Sequence, residues 1–448
     1  MDFEPFAPAK RQFMLGDLSD GYGYGFDYGK PAGVKLIHPD LHRLLRANGD
    51  SDKLSTDNLE IRSAIDKLSL NPSRTNNSPR LTVWLHLVHG CNFACHYCYI
   101  PHLRRAVSRE EIEQHSFQRK NIAPLLSNLL AYCRAEGLPE LRIMFAGGEP
   151  TLNLPLVDTF CSDAQAHSQD VRITFGMISN GSFDFDELIP LLHRHNISIS
   201  LSLDGYQNSH DQIRFEIVNQ KKVGSWNKIT GNVEQLLKEG IRPFFLFTIT
   251  PGNYSHIHEF ASFAHDQRLG FRLSLVKSVT APSMEVQSDI ADTLIHLYRN
   301  LAETLDPKLP ILKYAAMAEW FLYRKKHVPC ASCKSYFAIS NSGDVCACQM
   351  RMDHTYGSGL SEEFSSAVSR IRSDPTNAAL SNSLARNGAC TRCQYFHVCA
   401  GGCPHHNLLA TGNMDHPSPW CSVYGRLVPE YIRSIARQLQ RVFASEGQ

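Results

Sequence analysis

The stretch H-G-C-N-F-A-C-H-Y-C-Y, residues 89–99, places Cys91, Cys95 and Cys98 in one short segment. It directly follows L-T-V-W-L-H-L-V (81–88), an apolar run that reads as a buried strand, so the three thiols fall in the loop after that strand. A structural zinc site wants four ligands and usually announces itself as two C-x2-C pairs; C-x3-C-x2-C offers three thiols, with His96 or His89 available to complete a zinc site. An iron–sulfur cluster takes four thiolates, and three would leave one iron open to a substrate.

Working outward, the segment from 79 to 305 alternates strand-like runs with helical patterns. After L-T-V-W-L-H-L-V come L-R-I-M-F-A, R-I-T-F-G-M-I, I-S-I-S-L-S-L, R-P-F-F-L-F-T-I-T and F-R-L-S-L-V. Strands each followed by a helix imply parallel pairing, in an open sheet or a partial barrel. The polar motifs fall at fixed places in this alternation. The cysteine loop follows the first strand, Gly147-Gly148-Glu149-Pro150 the second, Ser179-Asn180-Gly181 the third and Leu203-Asp204-Gly205 the fourth. The C-terminal ends of parallel strands converge on one face, which is where such folds place their active sites. Four motifs on one rim predict one site.

Composition narrows the function classes. In 448 residues, 45 basic and 44 acidic side chains nearly cancel, with no long run of one sign, so the expectation is no nucleic-acid and no membrane partner. The N-terminus lacks a secretory pattern and no uncharged apolar run reaches membrane-spanning length, which reads as a cytoplasmic protein. Fourteen cysteines in that setting point to metal or redox chemistry rather than disulfides. Three sit at 91–98, Cys133 and Cys161 are isolated within helical patterns and read as buried inert thiols, and nine lie between Cys330 and Cys421.

C-N-F-A-C-H-Y-C-Y, with aromatic Tyr97 just before the third cysteine, resembles the signature of the radical S-adenosylmethionine (SAM) enzymes. That resemblance implies a [4Fe–4S] cluster on Cys91, Cys95 and Cys98 that binds SAM and cleaves it to a 5′-deoxyadenosyl radical, with Tyr97 among the cofactor-binding residues. Gly147, Gly148, Glu149 and Pro150 resemble the family's G-G-E motif, which binds the methionine ammonium; a carboxylate suits a cation, and glycines allow close backbone approach. Ser179 and Asn180 match the place where members contact the ribose and methionine carboxylate, and a helix cap is the plain alternative. Asp204, followed by His210, Asp211 and Arg214, resembles a pattern of peptide-modifying members. Asp204 would serve as a base or orient substrate and Arg214 would hold a carboxylate; a structural salt bridge is the alternative for both.

The distal cysteines run C-x2-C-x5-C-x3-C at Cys390, Cys393, Cys399 and Cys403, with Cys421 17 residues further on. Cys333 precedes Gly343, and Gly343-x4 leads to Cys348. These spacings, with C-A-G-G-C-P-H at 399–405, resemble the SPASM extension of radical SAM enzymes that act on peptides and proteins. The resemblance implies two auxiliary [4Fe–4S] clusters, one on Cys333, Cys348 and Cys403 with Cys330, the other on Cys390, Cys393, Cys399 and Cys421. Cys330 and Cys333 lie closer together than two ligands of that first cluster would, and Cys346 competes with Cys348. The departure implies an open iron on that cluster. Zinc is the alternative reading of two C-x2-C pairs.

The fold class expected is therefore α/β: a partial (β/α)6 barrel of radical SAM type over 79–305, with a small α+β module over 1–78. A bridging helix and loop-rich auxiliary-cluster domain over 306–425 and a C-terminal helix over 426–448 complete it. Within 1–78, V-K-L-I-H-P-D-L-H-R-L-L-R reads as a strand leading into a helix and 54–68 as a second helix, a winged-helix-like module suited to holding a leader peptide. The function implied is a maturase that abstracts hydrogen from a ribosomally made peptide to install a thioether or carbon–carbon crosslink. The partners are a precursor peptide or protein and an electron donor such as flavodoxin or ferredoxin. The alternatives are an anaerobic sulfatase maturase that makes formylglycine and a non-catalytic iron–sulfur or zinc peptide-binding scaffold.

Overall fold

The computed structural model describes residues 13–27, 34–37, 39, 42–43, 79–100, 104–105, 109–168, 170–218, 221–306, 309–318, 320, 330–378, 380 and 390–446. They fall into two compact units, one built from 77–271 with 331–381, the other from 1–76, 272–330 and 382–448.

The strands are, in chain order, β1 (Phe13–Asp17), β2 (Gly23–Asp27), β3 (Lys35–Ile37), β4 (Arg80–Val88), β5 (Gly90–Cys91), β6 (Arg104–Arg105), β7 (Glu140–Gly147), β8 (Arg172–Ser179) and β9 (Ser198–Ser202). They continue as β10 (Phe215–Val218), β11 (Lys221–Gly224), β12 (Phe244–Ile249), β13 (Phe271–Leu275), β14 (Ala315–Met317), β15 (Tyr336–Ile339), β16 (Asp344–Cys346) and β17 (Thr355–Ser358).

In the first unit the sheet runs β12-β9-β8-β7-β4-β15-β16-β17. Its pairs from β12 through β15 are parallel. Side chains alternate across such a sheet, and burial follows: Leu81, Val83, Leu85, Leu141, Ile143, Phe145, Leu201, Phe245 and Phe247 are fully or almost fully buried. These odd-numbered positions face the helices. Phe145 meets Phe160 of the Leu154–His167 helix edge-on, and Phe245 and Phe247 pack against Phe260 of the Ile257–Asp266 helix. The even-numbered face lies opposite, and Thr82, Trp84, Arg142, Met144, Ile178, Ser202, Leu246 and Thr248 on it are partly exposed.

All six expected strands form, and the sheet does not close. An unexpected partner, β15, pairs in parallel with β4 from Tyr336↔Thr82 to Ile339↔Leu85. Residues 331–381 thus pack with the 77–271 core, although the cysteine spacing groups them with the region after 306. The reason is physical: Y-F-A-I is a four-residue apolar strand whose Phe337, Ala338 and Ile339 are fully buried.

In the second unit β1, β2 and β3 form an antiparallel meander. Only β3 matches the strand expected within 1–78; the helix at 54–68 lies outside the described residues, as does most of the helix expected after β3. Fully buried Tyr24 places its hydroxyl 3.2 Å from Arg433 Nε on the Cys421–Glu446 helix. That helix also packs on Met284–Thr304 through Tyr298 and Tyr431, 4.5 Å apart edge to face, and through the Arg299–Glu430 pair at 2.9 Å. Of the bridging helix expected after 306, the described residues hold one turn at Ile311–Tyr314 followed by β14, and 319 and 321–329 lie outside them. The Tyr298 hydroxyl donates to the Ala315 carbonyl there.

Candidate active site

The cysteine loop begins at β5, immediately after β4. Gly148 N–H donates to Val88 O at 2.8 Å and Glu149 N–H to Gly90 O at 2.9 Å, so the end of β7 is stitched to the loop's first turn. A Cβ at position 148 would lie 1.8 Å from Gly90 O, and at position 147, where φ is +124°, 2.4 Å from Val88 O. The two glycines are therefore required for the cysteine loop to lie against β7. The close approach expected to a ligand is here an approach between two strands. Pro150 starts a short 3-10 turn capped by Glu149.

Glu149 is buried and its carboxylate accepts from Asn180 N–H at 2.6 Å, Thr151 Oγ1 at 2.7 Å and Thr151 N–H at 3.1 Å. Burial raises its pKa against these donors. Asn180 Nδ2 donates to Asn92 Oδ1 at 2.8 Å and lies 4.0 Å from Cys91 Sγ. Its Oδ1 accepts from Ser182 N–H, and Ser179 Oγ from Gly181 N–H. Cys91, Glu149 and Asn180, more than eighty residues apart at the extremes, are thus brought together as their motifs implied.

A second set of partners escapes the motifs. Asn92 Nδ2 donates to Glu216 Oε1 at 3.0 Å, Ser182 also bonds Glu216, and Ala94 N–H donates to Phe215 O. The β10–β11 hairpin thereby holds the cysteine loop from the side. His96 lies edge-on to Phe215, with ring centroids 5.2 Å apart.

Asp204 is fully buried and Arg214 nearly so. Arg214 Nη1 donates to Asp204 Oδ2 at 3.1 Å, and both bond the Tyr97 hydroxyl, while Asp204 Oδ1 accepts from Thr248 N–H at 2.6 Å. His210 Nδ1 accepts from Asp204 N–H and its Nε2 donates to Ser225 Oγ, which donates to Arg214 O. Burial, then the Arg214 charge, lower the His210 pKa to about 3, so its ring is neutral. Both oxygens of Asp204 are engaged by the chain itself. This arrangement matches the salt-bridge alternative, and Tyr97 carries it into the cysteine loop.

Burial raises the Cys91 and Cys95 pKa values, with neighbouring thiols adding to both. In the second unit, burial raises Cys421 to about 12 and Cys393 to about 11, with Cys399 adding to both. Cys390 caps the same turn, its carbonyl accepting from Cys393 N–H. Buried thiols of this kind reach the thiolate form when a bound cation supplies the compensating charge. Among the described residues no three His, Cys, Asp or Glu side chains converge on a single ion; a four-iron cluster places each thiolate on a different iron and wants wider spacing. In the first unit Ser332 Oγ donates to Ala347 O at 2.6 Å and lies 3.7 Å from Cys333 Sγ, which brings Cys333 beside the Cys348 segment. Cys346 is fully buried in β16 with its pKa raised to about 12. Cys133 and Cys161 are fully buried in helices, as expected.

Residues 85–266 match the family model of the radical SAM superfamily. A cysteine-type anaerobic sulfatase-maturating enzyme of Clostridium novyi (strain NT) is 22% identical over 348 residues, spanning 75% of this chain and 90% of the relative. The mycofactocin maturase MftC of Mycobacterium tuberculosis is 24% identical over 394 residues, spanning 83% and 90%. Native anSMEcpe with bound AdoMet and Cp18Cys peptide superposes with a TM-score of 0.63 at 15% identity, covering 81% of this chain and all of that one. The matched range contains the parallel strands whose C-terminal ends carry the three thiols, Glu149 and Asn180. Residues 85–266 are thus a radical SAM domain, followed by a cysteine-rich C-terminal region, and the cofactors that go with such a domain are SAM and an iron–sulfur cluster.

Proposed function

We propose that the protein is a maturase of ribosomally made peptides that abstracts hydrogen from its substrate and installs a thioether or carbon–carbon crosslink. The observation that carries this reading is the even-numbered face of the parallel sheet, partly exposed at Thr82, Trp84, Arg142, Met144 and Thr174 and buried at His86 and Ala146 just before the rim bearing Cys91, Glu149 and Asn180. A partly exposed strip several residues long suits an extended chain better than a small metabolite. The maturases among the similar proteins support it.

SAM on a [4Fe–4S] cluster held by Cys91, Cys95 and Cys98 supplies the hydrogen-abstracting radical when bound. Glu149 would receive the ammonium of SAM, Ser179 and Asn180 would orient its carboxylate and ribose, and Gly147, Gly148 and Pro150 fix the turn that presents Glu149. Asp204 and Arg214 act through Tyr97 to position the cysteine loop. Cys390, Cys393, Cys399 and Cys421 hold an auxiliary cluster. The β1 edge of the N-terminal meander is suited to take up a leader by strand addition. The electron donor is a flavodoxin or ferredoxin, and the setting is cytoplasmic; no described helix is long and apolar enough to cross a membrane.

The test is anaerobic reaction with a short candidate precursor encoded beside the gene, read by mass spectrometry. Loss of two hydrogens with one 5′-deoxyadenosine formed is the predicted result. An aldehyde at a Cys or Ser would instead establish the second reading, a formylglycine-generating sulfatase maturase, raised because several similar proteins are named as sulfatase-maturating enzymes. SAM cleavage with no change in any peptide or protein would contradict both.

A further inference from the structure

The even-numbered face of the sheet is graded along its length. Strand register aligns Arg80, Glu140 and Arg172 in a first row, and Thr82, Arg142 and Thr174 in the next. Trp84, Met144, Gly176 and Ser198 make a third row, and His86 and Ala146 lie one row short of the cysteine loop. The charges at the far end do not balance. Glu140 spends its carboxylate on Arg172 at 2.5 Å and Thr174 at 2.9 Å, with Arg80 at 3.8 Å. Arg142 forms no ion pair among the described residues. Its guanidinium is held in place by Ser198 Oγ at 2.7 Å and Met144 Sδ at 3.3 Å. Gly176 makes the room: a Cβ there would lie 2.6 Å from Met144 Sδ and 3.0 Å from Arg142 Nη2.

The other end of the strip carries an independent sign of a polar ligand. His86 is 3% exposed, and its Nε2 meets no hydrogen-bond partner among the described residues. A buried polar nitrogen without a partner is unfavourable, and a ligand group on this face would supply the missing bond. Four residues of strand separate the His86 and Arg142 rows, about 13 Å, which an extended peptide also crosses in about four residues.

We propose that this face selects acidic peptides, with Arg142, backed by Arg80 and Arg172, receiving an Asp or Glu side chain about four residues from the substrate group that bonds His86. The proposal rests on the peptide-maturase reading and names the class of peptide it takes. Arg142 is a specificity residue, with a preset geometry and no internal carboxylate to displace. Apolar surface from Trp84 and Met144 between the two polar anchors accommodates the intervening side chains.

The test is selection of random linear dodecapeptides by mRNA display on the intact, anaerobically reconstituted protein and on Arg142→Lys, Arg142→Gln and Arg142→Glu, each checked for full iron content. The expected result is enrichment of Asp or Glu at one position for the wild type and Arg142→Lys, its loss in Arg142→Gln, and Lys or Arg in its place for Arg142→Glu. A selected acidic dodecapeptide should bind wild type roughly tenfold or more tighter than its Gln analogue, the size of a charge-assisted hydrogen bond. His86→Ala should weaken the same peptide without altering its acidic preference. Peptides enriched without that preference, or with a preference untouched by Arg142→Glu, would overturn the proposal and leave the maturase reading standing. No peptide enriched by any variant would overturn both.

Discussion

Arg214, Asp204 and Tyr97 are where a few side chains decide whether the cysteine loop holds its shape. Removing one partner of a buried ion pair leaves the other charge uncompensated and typically costs about 3–5 kcal/mol, whereas removing both is far milder. Arg214→Met should therefore destabilise the fold by about 3 kcal/mol or more, and Asp204→Asn with Arg214→Met should recover most of that loss in thermal unfolding. A catalytic base at Asp204 would give the opposite pattern: stability little changed and activity abolished in every Asp204 variant. The buried histidines make a pH prediction. His210 is held at about 3 and His86 at about 4, each mainly by burial, against 6.5 in an unfolded chain. The unfolded state takes up protons that the folded state excludes, so their contribution is complete above pH 6.5 and shrinks as pH falls toward 4. Each accounts for about 1.4 kcal/mol per pH unit in that window. The melting temperature of wild type should fall more steeply from about pH 7 to pH 5 than that of His210→Gln; parallel curves would show that His210 does not titrate as the fold dictates.

At the scale of elements, the stitch between β7 and the cysteine loop carries the site. Gly148→Ala would drive a methyl group into Gly90 O, separating Glu149 from Cys91. SAM affinity and iron retention should both fall severely, measured by equilibrium dialysis and iron analysis, while Gly231→Ala, in the Trp226–Lys238 helix with nothing within 4 Å of its Cβ position, leaves both unchanged. The elements also explain what the sequence could reveal. Strands β4, β7, β8, β9, β12 and β13 were readable because each is an apolar run in an alternation with helical periods, and the first four are also followed by a polar motif, all local signals. Cys91, Glu149 and Asn180 could be named for the same reason, since each stands at the end of such a run. Glu216 and Asn92 could not. Their meeting depends on a hairpin folding back over 124 residues of separation, and nothing beside either residue announces it. β1 and β2 lie in F-M-L-G-D-L-S-D-G-Y-G-Y-G-F-D, where glycines mask the strand pattern and Asp20 turns the chain at φ +55°.

For the whole molecule, two cysteine-rich regions at opposite ends of the sequence frame one chain. The N-terminal triad sits on the rim of the first unit, and Cys390, Cys393, Cys399 and Cys421 sit in the second. The resemblance carried by the cysteine triad and the motifs after the next strands agrees with the superfamily model matched at 85–266, because such motifs are local properties of the sequence. It could not reveal that 331–381 folds with the core, because a four-residue strand carries too little pattern to announce its partner. Loss of the auxiliary ligands should leave the triad's cluster intact: Cys393→Ala with Cys421→Ala should retain SAM binding while iron content falls. SAM binding lost together with that iron would mean that the two sites do not form independently.

The central claim, that this chain is a radical enzyme built on iron–sulfur clusters, is tested most directly by iron and zinc analysis after anaerobic reconstitution of wild type and of Cys91/Cys95/Cys98→Ala. About twelve irons per chain, falling by about four in the triple variant, is the predicted result, as three four-iron clusters require. Stoichiometric zinc with little iron in the wild type would contradict it.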